Sequence, residues 1–138
     1  VVGDVFTVLP FGNVAVMRTI TADTLWAVLE YSVGGLPATN GRFLQIAGFK
    51  FEAKVSNAVG SRIVKVQLTD GTDIPKSATT TYKLVTNDFT NAGGDGYTML
   101  KEAVPSSGLE VMADILLDYI KGKTLSPASY SGRITLTP

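Results

Sequence analysis

The chain contains no cysteine and no histidine among its 138 residues, and these absences exclude several kinds of site. Without cysteine there are no disulfides and no thiolate metal ligands, and the redox compartment cannot be read from the sequence. Histidine is the commonest metal ligand and general base. Because the chain has none, histidine-based dinuclear metal sites and Ser-His-Asp triads are excluded. Carboxylates alone can hold Mg²⁺ or Ca²⁺, but the acids are scattered and form no Asp-x-Asp-x-Asp loop. We therefore expect no catalytic residue and no metal or cofactor site in this chain.

Net charge is also lacking, since twelve basic residues balance twelve acidic ones. With no dense basic patch, a nucleic-acid polymer is not an expected partner. No run approaches the roughly 20 apolar residues that cross a membrane, and no signal-peptide pattern is present. The sequence starts with Val1 rather than Met, which we interpret as a fragment of a longer protein.

The residues that are present suit one folded domain. Apolar residues make up 45% of the chain and charged residues 17%, which is typical of a well-filled core. A domain near this length buries roughly 68–70% of the surface of its unfolded chain. We therefore expect one domain over residues 1–138.

Hydrophobic periodicity predicts a mixture of strands and helices. The clearest helix covers residues 22–33 and is capped by Thr21, and the clearest strand alternates apolar and polar residues from Phe49 to Val55. Residues 107–110 match a capping box that would begin a last helix, and Met112 belongs to the predicted buried stripe of that helix. Further strands are predicted at residues 14–19, 62–68, 82–87 and 133–136, and in the strand at 62–68 Val64 and Val66 share the apolar face. A short helix is predicted at residues 97–103. Residues 5–9 are predicted to form a short strand or an extended lead-in. Because several connections are too short for a crossover helix, we expect an α+β domain with an antiparallel or mixed sheet.

A glycine-rich stretch at residues 87–97, Asn-Asp-Phe-Thr-Asn-Ala-Gly-Gly-Asp-Gly-Tyr, follows what we interpret as a buried strand. In one interpretation the glycines form a tight turn, Phe89 covers the core and Asp95 caps the next helix. In the other, Phe89 stacks on a ligand and Asp95 accepts hydrogen bonds from it. The stretch is no phosphate loop, because it lacks the lysine and the GxGxxG spacing.

Four motifs in order give this stretch a context. The segment Val-Leu-Pro-Phe-Gly-Asn at residues 8–13, the helix motif LWAVLEYS at 25–32, the strand motif GRFLQIAG at 41–48 and the glycine-rich stretch resemble the C-terminal domain of the 5′-nucleotidase family. That family consists of metal-dependent nucleotide phosphoesterases of the periplasm and the cell surface. The similarity runs from about Gly3 to Arg133, which is nearly the whole chain.

The resemblance implies a substrate site. In the family the two aromatic rings, which map onto Phe11 and Phe89, sandwich the nucleobase, and the aspartate that maps onto Asp95 binds the ribose hydroxyls. Stacking of a base on an aromatic ring is worth roughly 1–3 kcal/mol, and a carboxylate suits two vicinal hydroxyl donors. Asn13 and Asn87 are candidates for contacts to the base edge or for bracing the loops. The implied substrate-binding residues are Phe11, Asn13, Asn87, Phe89, Gly93, Gly94 and Asp95.

The resemblance also implies what lies outside this chain. Family members carry an N-terminal metallophosphoesterase domain that holds two divalent metal ions (Zn, Mn or Mg), and the catalytic residues belong to that domain. An Asn-Gly-Gly-x-Arg motif that commonly precedes the first motif is not in this chain, and Ala92 stands where many members have Asn. We therefore expect the substrate-specificity domain of a secreted, periplasmic or cell-surface phosphoric monoester hydrolase that acts in nucleotide catabolism, inactive by itself.

Other functions stay open at this point. A relative that hydrolyses 2′,3′-cyclic nucleotides or nucleotide sugars is one alternative within the enzyme class. A free-standing nucleoside-binding module without catalysis is a second, and a structural domain whose glycine-rich stretch only packs is a third.

Overall fold

The computed structural model describes residues 2–101, 105–124 and 132–138, and for residues 105–109 it describes the backbone alone. The helices are α1 Val2–Val8, α2 Ala22–Val33, α3 Asp88–Asn91, α4 Thr98–Lys101 and α5 Met112–Ile120. The strands are β1 Val14–Thr21, β2 Phe49–Lys54, β3 Ile63–Leu68, β4 Thr81–Asn87, β5 Pro105–Val111 and β6 Ile134–Thr137. A single 3₁₀ turn at Gly94–Gly96 precedes α4. The predicted α+β class is confirmed.

Backbone contacts divide the chain into two compact units. Unit 1 consists of Val1–Thr19 and Lys83–Ala128, and its three-stranded sheet has the order β4-β1-β5. Unit 2 consists of Ile20–Tyr82 and Ser129–Pro138, and its sheet has the order β3-β2-β6. The strands therefore belong to two small sheets.

Unit 2 is built on α2 and the sheet around β2. Helix α2 begins where Thr21 Oγ1 accepts a hydrogen bond from Thr24 N at 3.1 Å, so the predicted cap is confirmed. Strand β2 pairs antiparallel with β3 and parallel with β6, and it buries Phe51 and Ala53 while Glu52 and Lys54 are exposed. This alternation confirms the predicted strand with one wet face.

Strand β3 departs from the predicted alternation. We expected Val64 to share the buried face with Val66, but Val64 is 51% exposed, while Ile63 is buried. The register of the β2–β3 pair shifts between Glu52 and Ala53, so two residues of β3 oppose one step of β2. A bulge of this kind turns the side chains on one side of it to the other face.

Helix α2 and the start of β3 are connected by side chains. The carboxylate of Glu30 accepts hydrogen bonds from the backbone N–H groups of Arg62 at 3.0 Å and Ile63 at 2.9 Å. The guanidinium of Arg62 donates to the carbonyl oxygens of Val33 at 2.8 Å and Leu36 at 2.9 Å. Val33 ends α2 and Leu36 follows it, so Arg62 binds carbonyl groups at the helix end, where partners within the helix are lacking.

Two predictions for unit 1 are wrong. Residues 5–9 are not extended, because the chain forms α1 there, with a backbone hydrogen bond from Leu9 N to Val5 O at 2.8 Å. The capping box at residues 107–110 does not begin a helix, because these residues belong to β5, which pairs antiparallel with β1. In both places backbone hydrogen bonds override the local conformational preference of the residues, and the sequence pattern does not predict these hydrogen bonds.

Strand β4 and the residues after it also differ from expectation. Strand β4 is not buried: as an edge strand it alternates half-buried and exposed residues, with Val85 57% exposed. The glycine-rich stretch is not a plain loop, because α3 and the 3₁₀ turn lie within it. Among the residues that the structure describes, no helix is long and apolar enough to reach across a bilayer.

Candidate functional site

The first predicted aromatic residue lies between α1 and β1 in unit 1. Phe11 follows Pro10 and precedes Gly12, which has a φ of 44° that a glycine adopts readily. The ring is 80% exposed, so no core packing holds it. The chain is fixed just after it, because the carbonyl oxygen of Asn13 accepts a hydrogen bond from Met112 N at 2.9 Å. Phe11 is thus an exposed ring on an anchored segment.

The second predicted aromatic residue lies on α3, directly after β4. Asn87 caps this helix, since its side-chain oxygen accepts a hydrogen bond from Thr90 N at 2.6 Å. Thr90 is buried, while Phe89 is 50% exposed. The short helix therefore holds its buried side inward and presents Phe89 at the surface.

Asp88 joins the two segments. Its Oδ1 accepts a hydrogen bond from Asn13 Nδ2 at 2.8 Å and from Val14 N at 3.2 Å. The hydrogen bond from Asn13 is the main cause that lowers the pKa of the Asp88 carboxyl, and the backbone N–H groups of Phe89 and Val14 act in the same direction. Phe11 is two residues from Asn13, and Phe89 is next to Asp88, so this contact brings the segments of both rings together.

The second of the paired glycines, Gly94, lies against the ring of Phe89. A β-carbon added at Gly94 would lie 2.5 Å from Cε1 of Phe89 and 2.6 Å from its Cδ1 and Cζ atoms. The ring therefore lies against the backbone of Gly94 at a distance that only glycine allows. Gly93 has a φ of 89°, a conformation that also favours glycine.

Asp95 lies at the centre of the 3₁₀ turn, next to Gly94. Its φ of 52° makes it the residue other than glycine with a positive φ in the described part of the chain, and its side chain is exposed. Such left-handed conformations cost free energy and persist where the surrounding structure enforces them, often at functional sites. Behind the turn, Tyr97 and Leu100 are each 1% exposed and anchor it to the core of unit 1.

A shallow groove of about 130 Å³ opens beside the first segment. It is smaller than most small-molecule sites, which occupy roughly 300–1,000 Å³. Its lining residues are Val8, Leu9, Pro10, Phe11, Gly12, Asn13, Asn87, Met112 and Ala113.

The predicted residues are thus brought together in two groups. Phe11, Asn13 and Asn87 line the groove, whereas Phe89, Gly94 and Asp95 form the α3 and 3₁₀ surface outside that lining. Asp88 connects the two groups through Asn13.

Sequence reasoning missed two residues. Asp88 was part of the glycine-rich stretch but received no role, because nothing local to it indicates a partner 75 residues away. Met112 was assigned to a buried stripe of the last helix, yet it lines the groove and its N–H fixes Asn13. In the described ranges, no group of three or more Asp or Glu side chains is placed to hold a metal ion.

Comparison with known proteins gives these residues a family. Residues 1–102 match the model of the family described as 5′-nucleotidase, C-terminal domain. The chain belongs to this family. It is 32% identical over 137 residues to the trifunctional nucleotide phosphoesterase protein YfkN of Bacillus subtilis, and this match covers 96% of this chain and 9% of that protein. It is 31% identical over 139 residues to a 5′-nucleotidase of Diplobatis ommata, and this match covers 96% of this chain and 24% of that protein.

Solved structures give the same result for this 5′-nucleotidase C-terminal domain. The crystal structure of a 5′-nucleotidase precursor from Thermus thermophilus superimposes with a TM-score of 0.89 at 36% identity, over 99% of this chain and 27% of that one. The NAD nucleotidase of Haemophilus influenzae shares the fold, with a TM-score of 0.76 at 24% identity, over 99% of this chain and 26% of that one. The relatives named here are thus several times longer than this chain, which spans between 9% and 27% of their lengths.

Proposed function

We propose that this domain binds the nucleoside part of a nucleotide for a 5′-nucleotidase-type phosphoesterase, which releases nucleoside and phosphate. Phe11 and Phe89 stack on the two faces of the base, and Asp95 accepts hydrogen bonds from the ribose hydroxyls. The observation that carries the proposal is the Asn13–Asp88 hydrogen bond, which connects the segments of two exposed phenylalanines far apart in sequence.

Exposure of both rings supports the stacking. A large apolar side chain that is 80% exposed, as Phe11 is, gains nothing from the core, and a ligand face would remove it from water. Phe89 has Gly94 against its ring, which leaves a braced plate that is 50% exposed. Two such plates are worth roughly 1–3 kcal/mol each per stacked base and tolerate many bases.

The position of Asp95 supports its role at the sugar. A carboxylate at neutral pH only accepts hydrogen bonds, so it suits two neighbouring hydroxyl groups and repels phosphate. Asp95 follows Gly94, on which Phe89 rests, so a sugar attached to a base stacked on Phe89 would lie near the carboxylate. The enforced left-handed backbone of Asp95 is consistent with a residue held for binding.

The two asparagines have hydrogen bonds that favour the bracing role over a role at the base edge. Asn87 uses its side-chain oxygen for the cap of α3, and Asn13 donates its amide to Asp88. Base recognition in this proposal rests on stacking, and these two residues keep the stacking segments in place.

The reaction itself belongs, in this proposal, to a metallophosphoesterase domain that precedes the present one in a longer parent chain. The lengths of the relatives support a further domain. In this proposal that other domain also holds the two divalent metal ions. Snake venom 5′-nucleotidases, such as that of Naja atra at 34% identity, support an extracytoplasmic location for the parent protein.

A related substrate class has its own support. The B. subtilis relative is described as a trifunctional nucleotide phosphoesterase, so 2′,3′-cyclic nucleotides or nucleotide sugars are the second candidate for the parent enzyme. Base stacking on Phe11 and Phe89 would serve all of these substrates, whereas hydrogen bonds from the 2′ and 3′ hydroxyls to Asp95 would form only where those oxygens are not esterified.

A ligand series tests the nucleoside site. Titration of the chain with AMP, 2′,3′-dideoxyadenosine 5′-monophosphate and ribose 5-phosphate, followed by amide NMR shifts, separates the base from the sugar. We expect AMP to bind most tightly, the dideoxy compound to bind more weakly, and ribose 5-phosphate to give no shifts around Phe89. Equal binding of AMP and ribose 5-phosphate would contradict the proposal.

A further inference from the structure

The contact between Asp88 and Asn13 extends the pairing of two strands beyond their ends. Strands β1 and β4 are neighbours in the sheet of unit 1, β1 begins at Val14, and β4 ends at Asn87. Asp88 is the next residue after β4, and its carboxylate accepts from Val14 N and from the side chain of Asn13. Asp88 Oδ1 therefore connects the start of β1 with the end of β4. The segments that carry Phe11 and Phe89 begin at these two strand ends.

Each segment is also held by other bonds. The Asn13 carbonyl accepts from Met112 N, and Val14 pairs with Val111 in the β1–β5 ladder. On the other side, the Asn87 cap holds the first turn of α3. Among these bonds, the pair made by Asp88 is the one that connects the Phe11 segment to α3 directly.

The ring of Phe11 is sensitive to this connection. At 80% exposure it has little packing of its own, so its position follows that of the backbone between Gly12 and Val14. Charge-assisted hydrogen bonds to a carboxylate are roughly twice as strong as neutral ones. Two rings that clamp one flat base must keep a fixed separation, and Asp88 is the residue that bonds the segment of one ring to the segment of the other.

We propose that Asp88 is a positioning residue that sets the separation of Phe11 and Phe89 for a base. It does so without touching the base, through Asn13 and Val14. This inference rests on the proposed nucleoside site and names a residue that determines how tightly that site binds.

The test is an AMP titration of the intact chain, followed by amide NMR, with Asp88→Ala, Asp88→Asn and a matched control. The control is Asp70→Ala, which removes an exposed carboxylate of unit 2 that likewise accepts a backbone N–H, that of Thr72 at 2.9 Å. We expect Asp88→Ala to weaken AMP binding about tenfold, as the loss of charged hydrogen bonds implies. Asp88→Asn retains an acceptor oxygen and should stay within about threefold of the wild type. Asp70→Ala should bind as the wild type does.

A second variant approaches the same bond from its other end. Asn13→Ala removes the donor and leaves α3 and its cap intact, so it carries the test if Asp88→Ala does not fold. If Asn13 acts through Asp88, the losses of AMP affinity in Asn13→Ala and Asp88→Ala are not additive. The variant that carries both substitutions then binds AMP as tightly as the single variant with the lower affinity. Additive losses would show independent roles and would overturn the inference.

The failure of the inference is distinguishable from failure of the nucleoside site. Unchanged AMP affinity in a folded Asp88→Ala, with normal binding to the wild type, would overturn the positioning role alone. Shifts in the wild-type titration that fall outside the two ring segments would overturn the proposed site and the inference together. Rescue by Asp88→Asn, together with loss in Asp88→Ala, supports positioning, because a role in charge alone would fail in both variants.

Discussion

The ring of Phe89 lies against the backbone of Gly94 so closely that an added β-carbon would be 2.5 Å from its Cε1 atom. Real β-carbons do not approach other heavy atoms to this distance, so any side chain at Gly94 must move the ring. The glycine is therefore required by the packing of one particular aromatic side chain.

Substitution of that glycine should disturb the site more than the fold. We expect Gly94→Ala to displace Phe89, to destabilise the chain by about 1–3 kcal/mol as overpacking does, and to remove AMP-induced shifts at α3. Gly41→Ala is the matched control, because a β-carbon there meets no atom within 4 Å. Chemical denaturation and NMR titration measure the two effects. A Gly94→Ala variant that binds AMP normally would show that the placement of the ring does not matter.

Asp95 permits a comparison of strain with function. Its φ of 52° is a conformation that disfavours a β-carbon by roughly 1–2 kcal/mol. Asp95→Gly and Asp95→Ala both remove the carboxylate, so both should weaken AMP binding to a similar degree. Only glycine relieves the strain, and Asp95→Gly should be more stable than Asp95→Ala by about 1 kcal/mol in urea denaturation. Equal stabilities would mean that the turn relaxes in the alanine variant.

The Asp88 hydrogen bonds should make the stability of the fold depend on pH in the acidic range. Because the folded pKa of Asp88 is lowered, the unfolded state binds more protons in the interval below its usual value of about 4. The stabilisation is fully present above that value and is lost as pH falls through the lowered folded pKa. Asp88→Asn should thus be less stable than the wild type near neutral pH, and the two melting temperatures should converge in acid. A constant difference across the pH range would contradict the assignment.

Glu30 in unit 2 provides a variant that should affect the fold and not the site. Its carboxylate accepts the backbone N–H groups of Arg62 and Ile63. In Glu30→Gln one acceptor becomes an NH₂ donor that faces an N–H group, which should cost about 1–3 kcal/mol of stability. The wild-type pattern of AMP-induced shifts should persist in the folded variant. A loss of those shifts would place Glu30 in the binding machinery.

The elements that the sequence predicted well are those whose evidence is local. Helix α2 combines a threonine cap with a helical apolar stripe, and β2 alternates strictly, so each pattern had one consistent interpretation. Helix α1 and strand β5 were mistaken because β-branched residues and a capping box are only preferences. In the folded chain, the i→i−4 bond from Leu9 to Val5 and the pairing of β5 with β1 override them.

The candidate site divides in the same way. Phe11, Phe89 and Asp95 were named from motifs in the order of a family, and the family membership is confirmed. Their roles at the base and the ribose stay predictions. The part that connects them was invisible in the sequence, because the Asn13–Asp88 bond spans 75 positions and neither residue has a local signal for the other. The bulge that exposes Val64 is likewise a property of a strand pair and not of one strand.

The measurement that tests the central claim most directly is an isotope-filtered NOE experiment on the chain saturated with AMP. The claim predicts cross-peaks from the adenine H2 and H8 protons to the ring protons of both Phe11 and Phe89, and cross-peaks from ribose protons to the 3₁₀ turn at Gly94–Gly96. Both sets should vanish in Phe89→Leu, which keeps an apolar side chain without a π face. Adenine cross-peaks to residues outside the two ring segments, or to one ring alone, would contradict a site in which two phenylalanines clamp the base.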